Sequence, residues 1–182
     1  MVGLGTLVTL AGASLSLIVT GLALHQETDR YTLDVVQAES ELWAAQRLRF
    51  QVFNLELHEG LAASSALERD VDQFDAVCAH LIVTENSSGD IIGTYRMQTG
   101  TSAGRNLGYD STTEFDFAPL AAVRNQLLEL GRACVAERHR NQTVLRLLWQ
   151  GIAAYARHHQ LRYLIGCSSI TSPDAAGGVA TF

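Results

Sequence analysis

The sequence predicts a layered domain of mixed α and β structure (α/β or α+β), with a mainly antiparallel sheet flanked by helices. Three stretches carry that reading. Residues 77–85 and 91–98 are rich in apolar and β-branched side chains and are joined by Asn86-Ser87-Ser88-Gly89-Asp90, whose Asn and Gly supply hairpin-turn conformations. Residues 141–159 set Val144, Leu147, Leu148, Gly151, Ile152 and Tyr155 along one face of a helix. Between hairpin and helix runs Leu128-Glu129-Leu130-Gly131-Arg132-Ala133-Cys134-Val135, which reads as a buried strand holding one acid and one base three residues apart.

In chain order, the first 24 residues contain no charged side chain. At about 1.5 Å per residue such a run is just long enough to span a bilayer core as a helix. It lacks the basic start of a secretory signal, and Leu22-Ala23-Leu24 is a poor cleavage site. Residues 1–26 therefore read as an apolar segment, an anchor or extra sequence translated from an upstream start, ahead of a domain at 31–182. Residues 31–37 look like an opening strand. Residues 39–57 then switch to helical spacing, with Leu42, Ala45, Leu48, Val52 and Leu55 on a shared core face. Arg47 and Arg49 on this helix read as surface cations, and Phe50 and Phe53 as core or as walls of an acyl tunnel.

Three acids fall within six residues in Asp70-Val71-Asp72-Gln73-Phe74-Asp75, an arrangement that needs a cation or ample water nearby. Arg96 alternates out of phase with the apolar residues of its strand and is placed to face that acidic run. Residues 100–113 read as a flexible connection, 120–126 as a short helix, and 162–168 as another buried strand.

The net charge of -6 argues against a nucleic-acid partner. Its distribution is uneven: residues 27–95 hold thirteen acids against four arginines, residues 96–170 nine arginines against five acids. The second half suits an anionic partner. There is no lysine, which excludes Schiff-base chemistry and a Walker-type phosphate loop. Cys78, Cys134 and Cys167 are widely spaced in apolar runs, as small buried hydrophobes in a reducing, cytoplasmic compartment would be. If the N-terminal segment is an anchor, the chain would sit on the inner face of the membrane. No histidine pattern suits a metal, and none is expected.

Glu129 and Arg132 are the focus. An acid and a base within a core strand cost several kcal/mol unless paired with each other or with a ligand. That leaves a structural ion pair or an active site, and Gly131 adds weight to the second because a strand glycine often marks a bulge or a close approach of ligand to backbone.

Several motifs stand in register: Arg49 and Phe53 spaced by three residues, Asp72-Gln73-Phe74-Asp75, Gly93-Thr94-Tyr95-Arg96, Glu114-Phe115-Asp116, Leu128-Glu129-Leu130-Gly131-Arg132, and residues 147–155. In this order they resemble the carrier-protein-dependent branch of the GNAT acyltransferase superfamily, over about residues 31–168. The likeness is strongest to ornithine N-acyltransferases that make lyso-ornithine lipid and to long-chain N-acyl amino acid synthases, with acyl-homoserine lactone synthases as the alternative. The loop Arg138-His139-Arg140-Asn141-Gln142-Thr143 lacks the paired glycines of acetyl-CoA-binding members.

The resemblance implies acyl transfer from an acyl-phosphopantetheine on an acyl carrier protein to the amino group of an amino acid, with no tightly bound cofactor. Glu129 and Arg132 would be catalytic. Arg49, Phe53, Asp72, Asp75, Arg96 and Phe115 would bind substrate, with Asp72 and Asp75 holding the acceptor's cation. Arg138 and Arg140 would meet the carrier protein and its pantetheine. Members of this family continue beyond the strand at 162–168, so the chain ending at Phe182 resembles a partial member with C-terminal strands missing. That strand is expected to expose an unpaired edge, and a non-catalytic remnant is the reading from a different class.

Overall fold

The computed structural model describes residues 23–167 together with two short strands, Val8–Thr9 (β1) and Val19–Thr20 (β2). The remaining strands are Ala23–Glu27 (β3), Tyr31–Val35 (β4), Ala79–Glu85 (β5), Ile91–Thr99 (β6), Leu127–Val135 (β7) and Tyr163–Ile165 (β8). Among the described residues they form one sheet in the order β1-β8-β7-β6-β5-β4-β3-β2. Every neighbouring pair is antiparallel except β7 and β8.

The predicted hairpin is β5 and β6, closed by a turn in which Gly89 takes a φ of +77° that a side chain would resist. His80, Leu81, Ile82 and Val83 are all buried, so both faces of β5 are covered. Helix Gln142–His158 (α3) lies on one face, where Val144, Leu147, Leu148 and Ile152 pack against Leu33, Leu81, Val83 and Met97. Burying each of these aliphatic side chains is worth about 1.5–3 kcal/mol relative to leaving it in water. Gly151 lets the helix seat closely: a Cβ there would lie 2.8 Å from Leu81 and 2.9 Å from Leu33. Asn141 caps the helix by accepting from the amides of Thr143 and Val144 at 3.0 and 3.1 Å, a contact worth about 1 kcal/mol.

Helix Glu39–Arg49 (α1) covers the opposite face of β6 and β7. It does not run on to residue 57 as an α-helix. A π-helical turn, Phe50–Glu56, follows it, and its wider winding shifts the phase of the residues beyond. Val52 stays buried while Leu55, expected in the core, is 60 % exposed. The expected flexible connection at 100–113 is instead ordered. It forms helix Gly100–Arg105 (α2) and a 3₁₀ turn, Asp110–Thr113, held by the buried Tyr109, whose hydroxyl donates to the Arg124 carbonyl at 2.7 Å.

At the N-terminus, β3 is a strand of the sheet paired to β4, so the apolar segment read as residues 1–26 runs into the domain. Most of that segment lies outside the described residues; among those described, no helix is long and apolar enough to cross a membrane. The strand expected at 162–168 spans Tyr163–Ile165, and its outer edge is not left open. Val8 and Thr9 of β1 pair with Leu164 and Tyr163. Residues 168–182 lie outside the described ones.

Candidate active site

The site is built where β7 departs from its neighbours. On one side, β8 pairs with β7 only from Leu127 to Glu129. Gly166 then comes so close to the Leu130 carbonyl that a Cβ would lie 2.7 Å from it. Beyond this the residues of β7 have no β8 partner among the described residues. On the other side, Thr94 of β6 faces Cys134 while Arg96 faces Gly131, so Tyr95 alone spans Arg132 and Ala133. This is a β-bulge, with one extra residue on β7.

The residue in the left-handed region is Arg132, with φ +48°, and not the glycine expected to mark the bulge. For a residue with a Cβ this conformation costs about 1–2 kcal/mol. The surroundings hold it there. The Arg132 guanidinium lies 3.5 Å from both Asp70 and Asp72 and over the ring of Phe53. Arg132 thus pairs with the acidic run, and the pairing with Glu129 read from the sequence is replaced by separate partners for each.

Arg49, read as a surface cation, is fully buried at 0 % exposure. It lies on the inner face of α1 beside Leu48, and two carboxylates make its burial tolerable. Its Nη1 and Nη2 donate to the two oxygens of Asp75 at 3.0 and 2.6 Å, and its Nε lies 3.1 Å from Asp70. Arg96 faces the same run, as its phase predicted. Its Nη1 meets both oxygens of Asp72 at 2.6 Å and Asp75 at 3.3 Å, and its Nη2 donates to Asp110 at 2.7 Å.

These charges tune one another. Burial pushes the Asp75 carboxyl up, but the Arg49 hydrogen bonds, with the charges of Arg49, His80 and Arg96, outweigh it and hold the group below the ordinary range. Asp70 goes the other way: burial dominates, Arg132 and Arg49 offset it only in part, and its pKa is raised. His80, which contacts the Asp75 carbonyl oxygen at 3.0 Å, is lowered by burial. Burial lifts the Cys78 thiol to about 12, leaving it a poor nucleophile.

Glu129 has its own cradle. The Ser111 amide and hydroxyl donate to one carboxylate oxygen at 2.8 and 2.6 Å, and the Asp110 amide donates to the other at 3.1 Å. A carboxylate has about four acceptor positions, so three are filled and one remains.

Two cavities reach the bulge, with Arg132 in the wall of one and Ala133 and Tyr95 in the wall of the other. The first, about 250 Å³, is polar; Arg96, Gln98, Asp110, Ser111, Glu129 and Arg132 are in its wall. The second, about 350 Å³, is mainly apolar and lies between the π-turn and α3, with Val52, Phe53, Leu57, Tyr95, Cys134 and Leu145 in its wall. Asp72 and Asp75, expected to hold the acceptor's cation, stand behind Arg96 and Arg132; the carboxylates that line the polar cavity are Asp110, Glu114 and Glu129. Phe115 is half-buried beside Glu114.

Arg138 is exposed. Arg140 is forked onto Glu56 at 2.6 Å through both terminal nitrogens, tying the loop before α3 to the π-turn. Among the described residues no three His, Cys, Asp or Glu side chains converge as metal ligands would.

Sequence reasoning did not single out Asp110, Ser111, Gln98 or His80. Asp70 was visible only as one member of an acidic run. The two residues that cradle Glu129 lie in a polar stretch with no periodic signal.

A family model described as an acetyltransferase (GNAT) domain matches residues 48–150. The L-ornithine N(alpha)-acyltransferase of Brucella abortus strain 2308 is 38% identical over 143 residues, 74% of this chain and 51% of that protein. The enzyme of the same name from Agrobacterium fabrum strain C58 is 42% identical over 147 residues, 75% of this chain and 50% of that protein. The chain thus spans about half the length of these curated relatives.

Among solved structures, the acyl-homoserine lactone synthase LasI aligns with a TM-score of 0.54 at 14% identity, covering 83% of this chain and 77% of that one. FeeM, an N-acyl amino acid synthase from uncultured soil microbes, aligns with a TM-score of 0.54 at 17% identity, covering 75% and 70%. At these identities the likeness is one of fold: a mixed sheet, mostly antiparallel, flanked by helices.

Proposed function

Because the chain belongs to the acetyltransferase (GNAT) domain family, we infer that it transfers an acyl group from a thioester to the amino group of an amino acid, ornithine being the acceptor favoured by its curated relatives. The donor in this reading is an acyl-phosphopantetheine on an acyl carrier protein. The observation that carries it is that a polar and an apolar cavity both reach the bulge, Arg132 lining the first and Ala133 the second. An amine needs the first, an acyl chain or pantetheine arm the second, and the reaction needs them adjacent.

In the reaction the amine nitrogen attacks the thioester carbonyl, a C–N bond forms, the C–S bond breaks, and a proton leaves nitrogen as thiol is released. Glu129, which lines the polar cavity and has one acceptor position unfilled among the described residues, orients the amine and takes its proton directly or through a water. Ser111 and Asp110 fix that carboxylate in place. Arg132 lends positive potential at the bulge, where the amides of Arg132 and Ala133 fall outside the regular ladder and are suited to stabilise the oxyanion. Asp70, Asp72, Asp75, Arg49 and Arg96 form the charged frame that sets Arg132, and Phe53 walls the acyl side.

Arg138, with Arg146 one turn into α3, offers exposed cations to an acidic carrier, each close in sequence to a residue of the apolar cavity's wall, Arg140 and Leu145. Incubating the chain with acyl carrier protein loaded with a long acyl group and with labelled ornithine tests the reading. An N-acylornithine identified by mass spectrometry supports it. A chain with intact secondary structure that acylates no amino acid from a panel overturns it.

A further inference from the structure

Gln98 on β6 is paired in register with Glu129 on β7, and it lines the polar cavity. Opposed residues on antiparallel strands project to the same face, with Cβ atoms about 5 Å apart. Gln98 is 2 % exposed, yet neither its Nε2 nor its Oε1 has a hydrogen-bond partner among the described residues. Buried polar groups are nearly always paired, and a carboxamide has two donors and two acceptor positions to satisfy.

The surroundings make the omission specific. Across the ladder Glu129 takes three donors, and on the same strand the Thr94 hydroxyl donates to the Leu81 carbonyl at 2.9 Å. Other buried polar atoms also lack a hydrogen-bond partner among the described residues, in Arg49, Asp70 and His80, but of these side chains Gln98 is the one that lines the polar cavity. An unpaired buried group is costly to the empty protein, and a ligand that pairs it removes that cost on binding.

We propose that Gln98 determines specificity for the acceptor by recognising an α-amino acid. Its Nε2 donates to the acceptor's carboxylate, and its Oε1 accepts an N–H of the amine beside the open position on Glu129. A carboxamide presents a donor and an acceptor side by side, matching the adjacent carboxylate and amine of such a ligand. An amine without the carboxylate leaves Nε2 unpaired and is discriminated against. This deepens the N-acylation reading and rests on it.

The test compares ornithine with 1,4-diaminobutane, which is ornithine without its carboxylate, using the full chain and an acyl-carrier-protein donor. Wild type is expected to prefer ornithine. Gln98→Met keeps the shape and removes both polar atoms. It should raise the ornithine KM and lower the preference over the diamine, each by about tenfold, with the donor KM unchanged. Its Tm should equal or exceed that of wild type, because no native hydrogen bond is lost. Gln98→Glu, which sets a carboxylate against the acceptor's own, should lose more.

A Gln98→Met protein with wild-type ornithine KM and preference overturns the proposal while leaving N-acylation standing. So does a lowered Tm with equal losses on both amines, since that is the signature of a structural glutamine. Failure of wild type to acylate any amino acid removes the N-acylation reading and this proposal with it.

Discussion

Arg49 and Asp75 form a buried fork-to-fork pair, with N–O distances of 3.0 and 2.6 Å between an arginine that is 0 % exposed and an aspartate that is 6 % exposed. Neither charge can be left alone there. Arg49→Met leaves Asp75 with Arg96 and Gln46 but removes its strongest partner and the neighbour of Asp70. Breaking such a pair costs about 3–5 kcal/mol, so the variant should unfold at markedly lower denaturant than wild type in a urea titration followed by circular dichroism.

Asp75 and Asp70 should bias the pH dependence of stability in opposite directions. The folded pKa of Asp75 is depressed, so its stabilisation is present above its unfolded value of about 3.9 and is lost as pH falls through the lower folded value. The folded pKa of Asp70 is raised. The folded state therefore holds the Asp70 proton more tightly, and stability from this group falls as pH rises from about 3.9 through the folded value. Urea titrations across the acid range should show Asp75→Asn falling further behind wild type as pH rises toward about 3.9, and Asp70→Asn gaining on wild type as pH rises above that value.

Glu129→Gln should lower kcat for acyl transfer by about 10²–10⁴, the usual contribution of a positioned acid or base. An amide also turns donors toward the Ser111 and Asp110 amides, so the cradle loosens. Ser111→Ala removes the 2.6 Å hydroxyl bond alone and should cost activity by a smaller factor at unchanged donor KM. Steady-state kinetics on both variants, checked for folding, decides between an active carboxylate and a structural one.

Reversing Arg138 and Arg140 to Glu should raise the KM for the carrier-bound donor and flatten its dependence on salt, because screening then has less attraction to remove. The Arg140 change also breaks the fork to Glu56, so the Arg138 single variant isolates the docking effect. Carrier affinity measured at low and high salt is the check.

Regular features were legible and long-range ones were not. Helix α3 was readable because Val144, Leu147, Leu148 and Ile152 repeat at helical spacing and are all buried. Arg96 was placed against the acids by its phase alone. Arg49 was misread because an arginine carries no mark of the carboxylates that will surround it from more than twenty residues away. The bulge was expected at Gly131 on conformational grounds, but tertiary contacts to Asp70, Asp72 and Phe53 put the strained backbone at Arg132. The Ser111 cradle joins residues 18 apart through a segment with no pattern. The open edge expected on β8 is met by Val8 and Thr9, a pairing two residues long that no periodicity announces.

The charged frame also constrains how the chain folds. Its members come from α1, the acidic run, β6, the 3₁₀ turn after α2, and β7, so no single hairpin or helix can neutralise its own ions. An assembling chain must bring distant segments together before Arg49 or Asp70 can leave water without penalty. Intermediates that bury only part of this set are therefore disfavoured, which pushes the domain toward all-or-none assembly, and the dependence on distant contacts slows the step that reaches it. Once formed, the same cross-linking by charge should protect the amides of β6 and β7 from hydrogen exchange until the whole sheet opens.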